Sequence, residues 1–129
     1  MKNRIHIFTG HFGSGKTEVA LNFALQEKKK GKDVVIVDLD IVNPYFRTND
    51  ARNVLMKNGI KVVANNYASS NVDMPTMPLD ILSVFNNDNS VVVFDVGGDD
   101  DGALALGQYK QYFDKYGYEM HFIVNTKRP

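Results

Sequence analysis

Residues 10–17 read Gly-His-Phe-Gly-Ser-Gly-Lys-Thr and match the pattern G-x-x-x-x-G-K-[ST] at every fixed position. The apolar run at residues 4–8, Arg-Ile-His-Ile-Phe, comes directly before this stretch and predicts a short strand. Residues 18–25 follow it and predict a helix. A strand, a glycine-rich loop and a helix form the context in which this pattern holds phosphate. We therefore expect the rest of the chain to be arranged around a phosphate bound here.

The backbone of this loop and the start of the next helix favour phosphate binding. Its glycines let the backbone curl so that successive N–H groups point inward, and the next helix adds free N–H groups and the positive end of its dipole. Lys16 is expected to reach the β- and γ-phosphates, and the Thr17 hydroxyl suits Mg²⁺. The residues predicted to contact the nucleotide here are Gly10, His11, Phe12, Gly13, Ser14, Gly15, Lys16, Thr17 and Glu18.

Composition limits the class of protein. The 129 residues suffice for one domain, with 43% hydrophobic and 23% charged residues, and a net charge of zero gives no sign of a nucleic-acid-coating surface. The absence of cysteine excludes disulfides, zinc–thiolate sites and cysteine catalysis. Because no segment approaches about 18 consecutive apolar residues and the N-terminus has no signal-like apolar run, we expect a cytoplasmic protein with no membrane segment.

Strands and helices alternate along the chain. The predicted strands are residues 4–8, 33–38, 60–64, 90–95 and 118–125. The predicted helices are residues 18–30, 49–58, 78–85 and 103–116. A long loop is predicted at 65–77 and a short one at 97–102. This alternation predicts an α/β fold with a mainly parallel five-stranded sheet. In most P-loop folds the carboxylate-ended fourth strand lies beside the first, which gives the order 3-2-4-1-5. The expected domain is a three-layer P-loop NTPase fold over residues 1–129, with two helices on each face.

Carboxylates follow two of the buried strands at the edge where such sheets bind ligands. Asp38 and Asp95 end strands two and four and are predicted, with Thr17, to hold Mg²⁺. Asp40 points the same way as Asp38 if the chain stays extended, and it is our candidate for orienting the attacking water. A lone aspartate at a strand end is otherwise a cap or turn residue.

Other polar residues carry weaker signals. The acids at 99–101 are expected to lie in a solvated loop or at a helix N-terminus. His6 and His121 lie in apolar strands and are interpreted as core or surface residues, and no spacing indicates a metal site built from protein ligands alone.

Three stretches together resemble the MinD/ParA-like branch of P-loop ATPases, the group that includes nitrogenase iron protein and the cobyrinic-acid synthase nucleotide domains. They are residues 10–17, Val-Val-Ile-Val-Asp-Leu-Asp at 34–40, and Val-Val-Phe-Asp-Val-Gly-Gly at 92–98. The resemblance implies ATP and Mg²⁺ binding and slow hydrolysis coupled to a partner, with Lys16 and Asp40 in catalysis. It also implies that Asn125 contacts adenine. Because residues 125–128 are not the Asn-Lys-x-Asp of a guanine reader, ATP is favoured over GTP.

Two departures from the family pattern bear on function. His11 stands where the family has a lysine that crosses to the partner subunit, so hydrolysis driven by a homodimer is not implied. Arg47 is either a charge stabiliser in place of that lysine or a surface residue. Relatives continue for about another hundred residues, so we expect the chain to be the N-terminal part of a longer protein.

The sequence thus predicts a Mg²⁺-dependent ATP-binding protein that acts as a nucleotide-dependent switch with slow ATPase activity. Its partners are the nucleotide and either another protein or a second copy. Two alternatives stay open: an ATP-dependent small-molecule kinase or ligase, and a nucleotide sensor that does not hydrolyse.

Overall fold

The computed structural model describes residues 4–11, 13–40, 49–64, 79–86 and 89–124. The strands in these ranges are β1 (Ile5–Gly10), β2 (Asp33–Asp38), β3 (Lys61–Ala64), β4 (Ser90–Gly97) and β5 (Glu119–Phe122). The helices are α1 (Lys16–Lys29), α2 (Asn49–Lys57), α3 (Leu79–Asn86), α4 (Asp100–Gln108) and α5 (Lys110–Tyr116). Phe12, Asn125, Arg47 and the 65–77 loop lie outside the described residues.

The five strands form one parallel sheet in the order β3-β2-β4-β1-β5, which confirms the predicted α/β architecture and strand order. The register aligns the carboxyl ends of the central strands. Asp38 of β2 lies opposite Asp95 of β4, and Gly10 of β1 lies opposite Gly97 of β4. The loop after β1 and the carboxylates near the carboxyl ends of β2 and β4 therefore meet at one edge of the sheet.

Helices cover both faces of the sheet, and each face has its own apolar core. On one face Ala20 and Ala24 of α1 and Leu55 of α2 pack on strand residues such as Ile36. On the other face residues of α3, α4 and α5, including Phe85, pack on the opposite sides of the same strands. Burial on both faces explains why β2 and β4 are continuous apolar runs, since each fully buried side chain contributes about 1.5–3 kcal/mol.

Glycines end the first two helices at the predicted positions. Gly31 follows α1 with φ +88°, and its N–H donates to the Lys28 carbonyl at 2.9 Å. Gly59 follows α2 with φ +75° and donates to the Met56 carbonyl at 3.0 Å. Both glycines take the left-handed conformation that other residues resist, so they return the chain to the next strand.

The prediction of a single helix over residues 103–116 is wrong. The structure has two helices, separated at Tyr109, where the backbone (φ −108°, ψ 9°) leaves helical geometry. Tyr109, at the break, and Phe113, in α5, both lie buried in the core.

The loop after β4 is also shorter than predicted, because α4 already begins at Asp100. The Asp99 side chain accepts a hydrogen bond from the Gly102 N–H at 3.2 Å and caps the helix. This confirms the helix-terminus alternative for these acids.

Candidate functional site

The loop between β1 and α1 has the conformation that its glycines allow. Gly13 and Gly15 adopt φ +82° and +90°, values that are strained for any residue with a Cβ. The Ser14 N–H donates to the His11 carbonyl at 3.0 Å, which tightens the turn. Gly15 precedes α1 and supplies no side-chain cap. The first N–H groups of α1 are therefore left without a side-chain partner from the capping position.

The chain after β4 packs directly against the start of this loop. A Cβ at Gly98 would lie 2.5 Å from the Gly10 carbonyl carbon and 2.9 Å from the His11 nitrogen. A Cβ at Gly10 would lie 2.6 Å from the Ile123 carbonyl oxygen. Only glycine allows these backbones to approach so closely, so the segment at 97–98 and the glycine-rich loop are in van der Waals contact.

Lys16, in the first turn of α1, points into the sheet edge and meets two carboxylates. Its Nζ lies 2.5 Å from Asp40 Oδ2 and 3.0 Å from Asp95 Oδ1, and it donates to the Val96 carbonyl at 3.3 Å. The three charged side chains are almost completely withdrawn from water, with exposed fractions of 7%, 5% and 0%. The structure therefore brings the predicted catalytic residue Lys16 into contact both with Asp40, the other predicted catalytic residue, and with the predicted metal ligand Asp95.

Asp38 lies beside this ion-pair cluster and is itself buried. Its Oδ1 accepts a hydrogen bond from the Asp40 N–H at 3.1 Å. The Leu39 N–H donates to the Asp95 carbonyl at 2.9 Å, so the chain leaving β2 stays attached to β4. These bonds keep residues 38–40 beside the carboxyl end of β4.

The electrostatics of the cluster depend on one buried ammonium, that of Lys16, which contacts the buried carboxyl groups of Asp40 and Asp95. Burial raises the pKa of Asp95 to about 6, although Lys16 opposes the rise; Asp40 adds to it. Burial alone would lower the pKa of Lys16, but Asp95 and Asp40 outweigh it and hold that pKa above its usual value. Neither Asp95 oxygen accepts a well-formed hydrogen bond from the described part of the chain.

The remaining predicted residues are less tightly placed. Thr17 is half-buried in the first turn of α1, and Glu18 is exposed. His11 is exposed, with its ring edge-on to that of Phe122 at a centroid distance of 6.4 Å. The Ser14 hydroxyl is buried and has no hydrogen-bond partner among the described residues.

No protein-family model matches the chain, and no curated protein matches it. Among the described helices, none has the length and apolar character that crossing a bilayer requires. A functional assignment must therefore come from the residues and geometry of the site.

A second cluster was not indicated by the sequence spacing. His6 Nδ1 lies 3.1 Å from His121 Nε2 and 3.7 Å from Glu119 Oε2. The histidines are 115 positions apart, and only the pairing of β1 with β5 joins them. The alternation of Glu119 and His121 on one face of β5, next to a histidine in β1, is the signal that could have indicated the cluster.

Proposed function

We propose that the chain is a cytoplasmic Mg²⁺-dependent ATP-binding protein of the MinD/ParA-like P-loop class, and that it hydrolyses ATP slowly as a nucleotide-dependent switch. One observation carries the proposal. A buried lysine, placed by a glycine-rich loop at the start of a helix, contacts two carboxylates at the carboxyl ends of neighbouring strands: Asp40, just after β2, and Asp95, near the end of β4. A nucleotide triphosphate with its metal ion requires both a cation for phosphate and oxygen ligands for the metal at one edge of a sheet.

The loop and the first turn of α1 supply the phosphate donors. The conformations of Gly13 and Gly15 leave the N–H groups of this turn uncapped, and Lys16 provides the positive charge. In the absence of phosphate, the Lys16 ammonium is held by Asp40 and Asp95. Nucleotide binding therefore requires Lys16 to exchange these carboxylates for phosphate oxygens.

The carboxyl groups fit a magnesium ion. Asp95 has a buried oxygen, Oδ2, that accepts no hydrogen bond from the described part of the chain, and Mg²⁺ binds oxygen ligands. Thr17, Asp38 and Asp95 are the residues that would hold the ion, directly or through water. When bound, Mg²⁺ would neutralise charge on the phosphates.

Asp40 is the residue we assign to the attacking water. Once Lys16 has moved to phosphate, the Asp40 carboxylate no longer pairs with the ammonium and would orient a water and accept its proton. The water oxygen forms a bond to the γ-phosphorus, the bond from that phosphorus to the β–γ bridging oxygen breaks, and the products are ADP and phosphate. The buried position of Asp40 favours this role, because few bulk waters compete for its carboxylate oxygens.

The contact of Gly98 with Gly10 and His11 supports the switch part of the proposal. Because the two backbones touch, a phosphate that reshapes the loop would displace the segment at 97–98 and, through it, the Asp99 cap of α4. A partner protein or a second copy that contacts α4 would then distinguish the nucleotide states.

Calorimetric titration with ATP and with GTP, each with and without Mg²⁺, tests the proposal when followed by measurement of phosphate release. We expect Mg²⁺-dependent ATP binding and slow phosphate release, both lost in Lys16→Met. Lys110→Met is the matched control. Lys110 is exposed, and the ion pair described for it is to the exposed Asp114, with 2.5 Å between Nζ and Oδ2. An unchanged ATP affinity in Lys16→Met would refute the assignment.

The same measurements separate the alternatives. Phosphoryl transfer that needs an added small molecule would indicate a kinase or ligase. Tight ATP binding without release of phosphate would indicate a sensor.

A further inference from the structure

The cluster of His6, Glu119 and His121 lies at the opposite end of the sheet from the glycine-rich loop. His6 is the second residue of β1, and Glu119 is the first residue of β5. His6 and Gly10 are four positions apart in an extended strand, a distance of about 13 Å. We propose that this cluster binds a divalent transition-metal ion of the Zn²⁺ type, independently of the nucleotide site.

The spacing of the ligand atoms matches a metal site. The separations of His6 Nδ1 from His121 Nε2 and from Glu119 Oε2 are 3.1 and 3.7 Å, and all three ligand atoms lie within 4.8 Å of one another. A tetrahedral Zn²⁺ with bonds of about 2.0–2.1 Å places neighbouring ligand atoms about 3.3 Å apart. Small side-chain rotations therefore suffice to bring the three atoms onto one ion.

The fold holds the two rings close to this geometry before any ion binds. In the β1–β5 pairing, His6 lies opposite Glu119 and Phe8 lies opposite His121. The His121 ring stacks on Phe8 with centroids 4.4 Å apart and planes 9° apart, and the His6 ring packs against Phe23 at 4.6 Å. Packed rings lose little further freedom on coordination, which favours binding.

An ion can enter the cluster from solvent. His6, Glu119 and His121 line a cavity of about 470 Å³, together with the end of α1. His6 is nearly buried, but the Glu119 side chain is 54% exposed, so one ligand of the cluster is in contact with solvent. Because three protein ligands leave a fourth coordination position, a water or small ligand in the cavity completes the site.

The chemistry of the ligands selects the ion. Two imidazoles and one carboxylate suit Zn²⁺, Co²⁺, Ni²⁺ and Cu²⁺, whereas Mg²⁺ and Ca²⁺ prefer sites made of oxygen alone. This separates the cluster from the carboxylate-rich edge near Lys16, where the ligands are oxygens. The ion would join β1 to the edge strand β5.

Titration of the full chain with Co²⁺, without nucleotide, tests the proposal by visible absorption, and competition with Zn²⁺ gives the Zn²⁺ affinity. We expect one Co²⁺ per chain with the intense bands of a four-coordinate site, and Zn²⁺ should displace it. Glu119→Gln and His121→Gln should weaken Zn²⁺ binding by more than about 100-fold, since even residues that only support ligands alter affinity 10–100-fold. Zn²⁺ should also raise the melting temperature of the wild type but not of Glu119→Gln.

His11→Gln is the matched control, because it removes the third histidine of the chain, from the other end of β1, and should leave Zn²⁺ affinity unchanged. Asp95→Asn controls for binding at the oxygen-rich edge and should also leave it unchanged. Circular dichroism checks that each variant folds. The proposal is overturned if the wild type takes up no Co²⁺, which would leave a His6–His121 hydrogen bond as the whole role of the cluster. It is equally overturned if folded Glu119→Gln and His121→Gln variants keep the wild-type affinity.

Discussion

Asp95→Asn should stabilise the protein while removing Mg²⁺-dependent nucleotide binding. Burial raises the pKa of Asp95 from its usual 3.8 to about 6. Each pH unit corresponds to about 1.4 kcal/mol, so ionised Asp95 lowers the free energy of unfolding at pH 7.5 by about 3 kcal/mol. Asparagine has nearly the same shape and no charge, and Lys16 keeps Asp40 as a partner at 2.5 Å. We therefore expect the variant to gain up to about 3 kcal/mol at pH 7.5.

The gain should depend on pH with a definite sign. Because the pKa of Asp95 is higher in the folded than in the unfolded chain, its contribution to stability is present below about pH 3.8 and is lost as pH rises through about 6. The difference between variant and wild type should be about 3 kcal/mol at pH 7.5 and about half that at pH 5, and it should nearly vanish by about pH 3.5.

Urea unfolding without nucleotide or divalent ions, at several pH values, measures this difference, and equal m-values show that the same surface is exposed. Asp114→Asn is the matched control, because its exposed pair with Lys110 should change stability by less than about 1 kcal/mol. A folded Asp95→Asn that is less stable than the wild type at pH 7.5 would refute the reasoning. In that case the ion pair with Lys16 would be a net source of stability rather than a strained arrangement kept for ligand binding.

Three further substitutions probe the same edge of the sheet. Lys16→Met removes the ammonium that contacts Asp40 and Asp95 and should cost about 3–5 kcal/mol at pH 7.5 in urea unfolding; a loss below about 1 kcal/mol would contradict this. Gly98→Ala would place a Cβ 2.5 Å from the backbone of Gly10, so both melting temperature and ATP affinity should fall; Gly107→Ala, with no atom within 4 Å, should instead gain up to about 1 kcal/mol. Asp40→Asn should bind ATP but release phosphate at least about 100-fold more slowly, and normal release would exclude Asp40 as the base.

The sequence predicted the parts of the structure that depend on local pattern. The apolar runs ending in Asp38 and Asp95 predicted strands buried on both faces, and the structure confirms their place in the sheet order. The glycines at 31 and 59 marked the ends of α1 and α2, because a left-handed residue leaves a clear local signal. The two carboxylates meet because the register of β2 and β4 brings their carboxyl ends together.

Features that depend on tertiary packing were not predictable in this way. Apolar residues at helical spacing continue through Tyr109, so nothing local marks the break that packing imposes there. Lys16 and Asp40 form an ion pair between the start of α1 and the chain after β2, and no local pattern indicates this contact. The approach of His6 to His121 required two strands far apart in sequence to be paired in the correct register.

The ion pairs of Lys16 have a thermodynamic consequence for how the proposed ligands would bind. If phosphate draws the ammonium away, Asp40 and Asp95 lose the counter-charge that Lys16 supplies, in a site that is almost completely withdrawn from solvent. A metal ion that arrives with the nucleotide restores positive charge there, whereas the nucleotide alone adds further negative charge. Nucleotide and metal should therefore bind with positive cooperativity, each raising the affinity for the other by the same factor. The buried lysine would make the site respond to both ligands together and only weakly to either one.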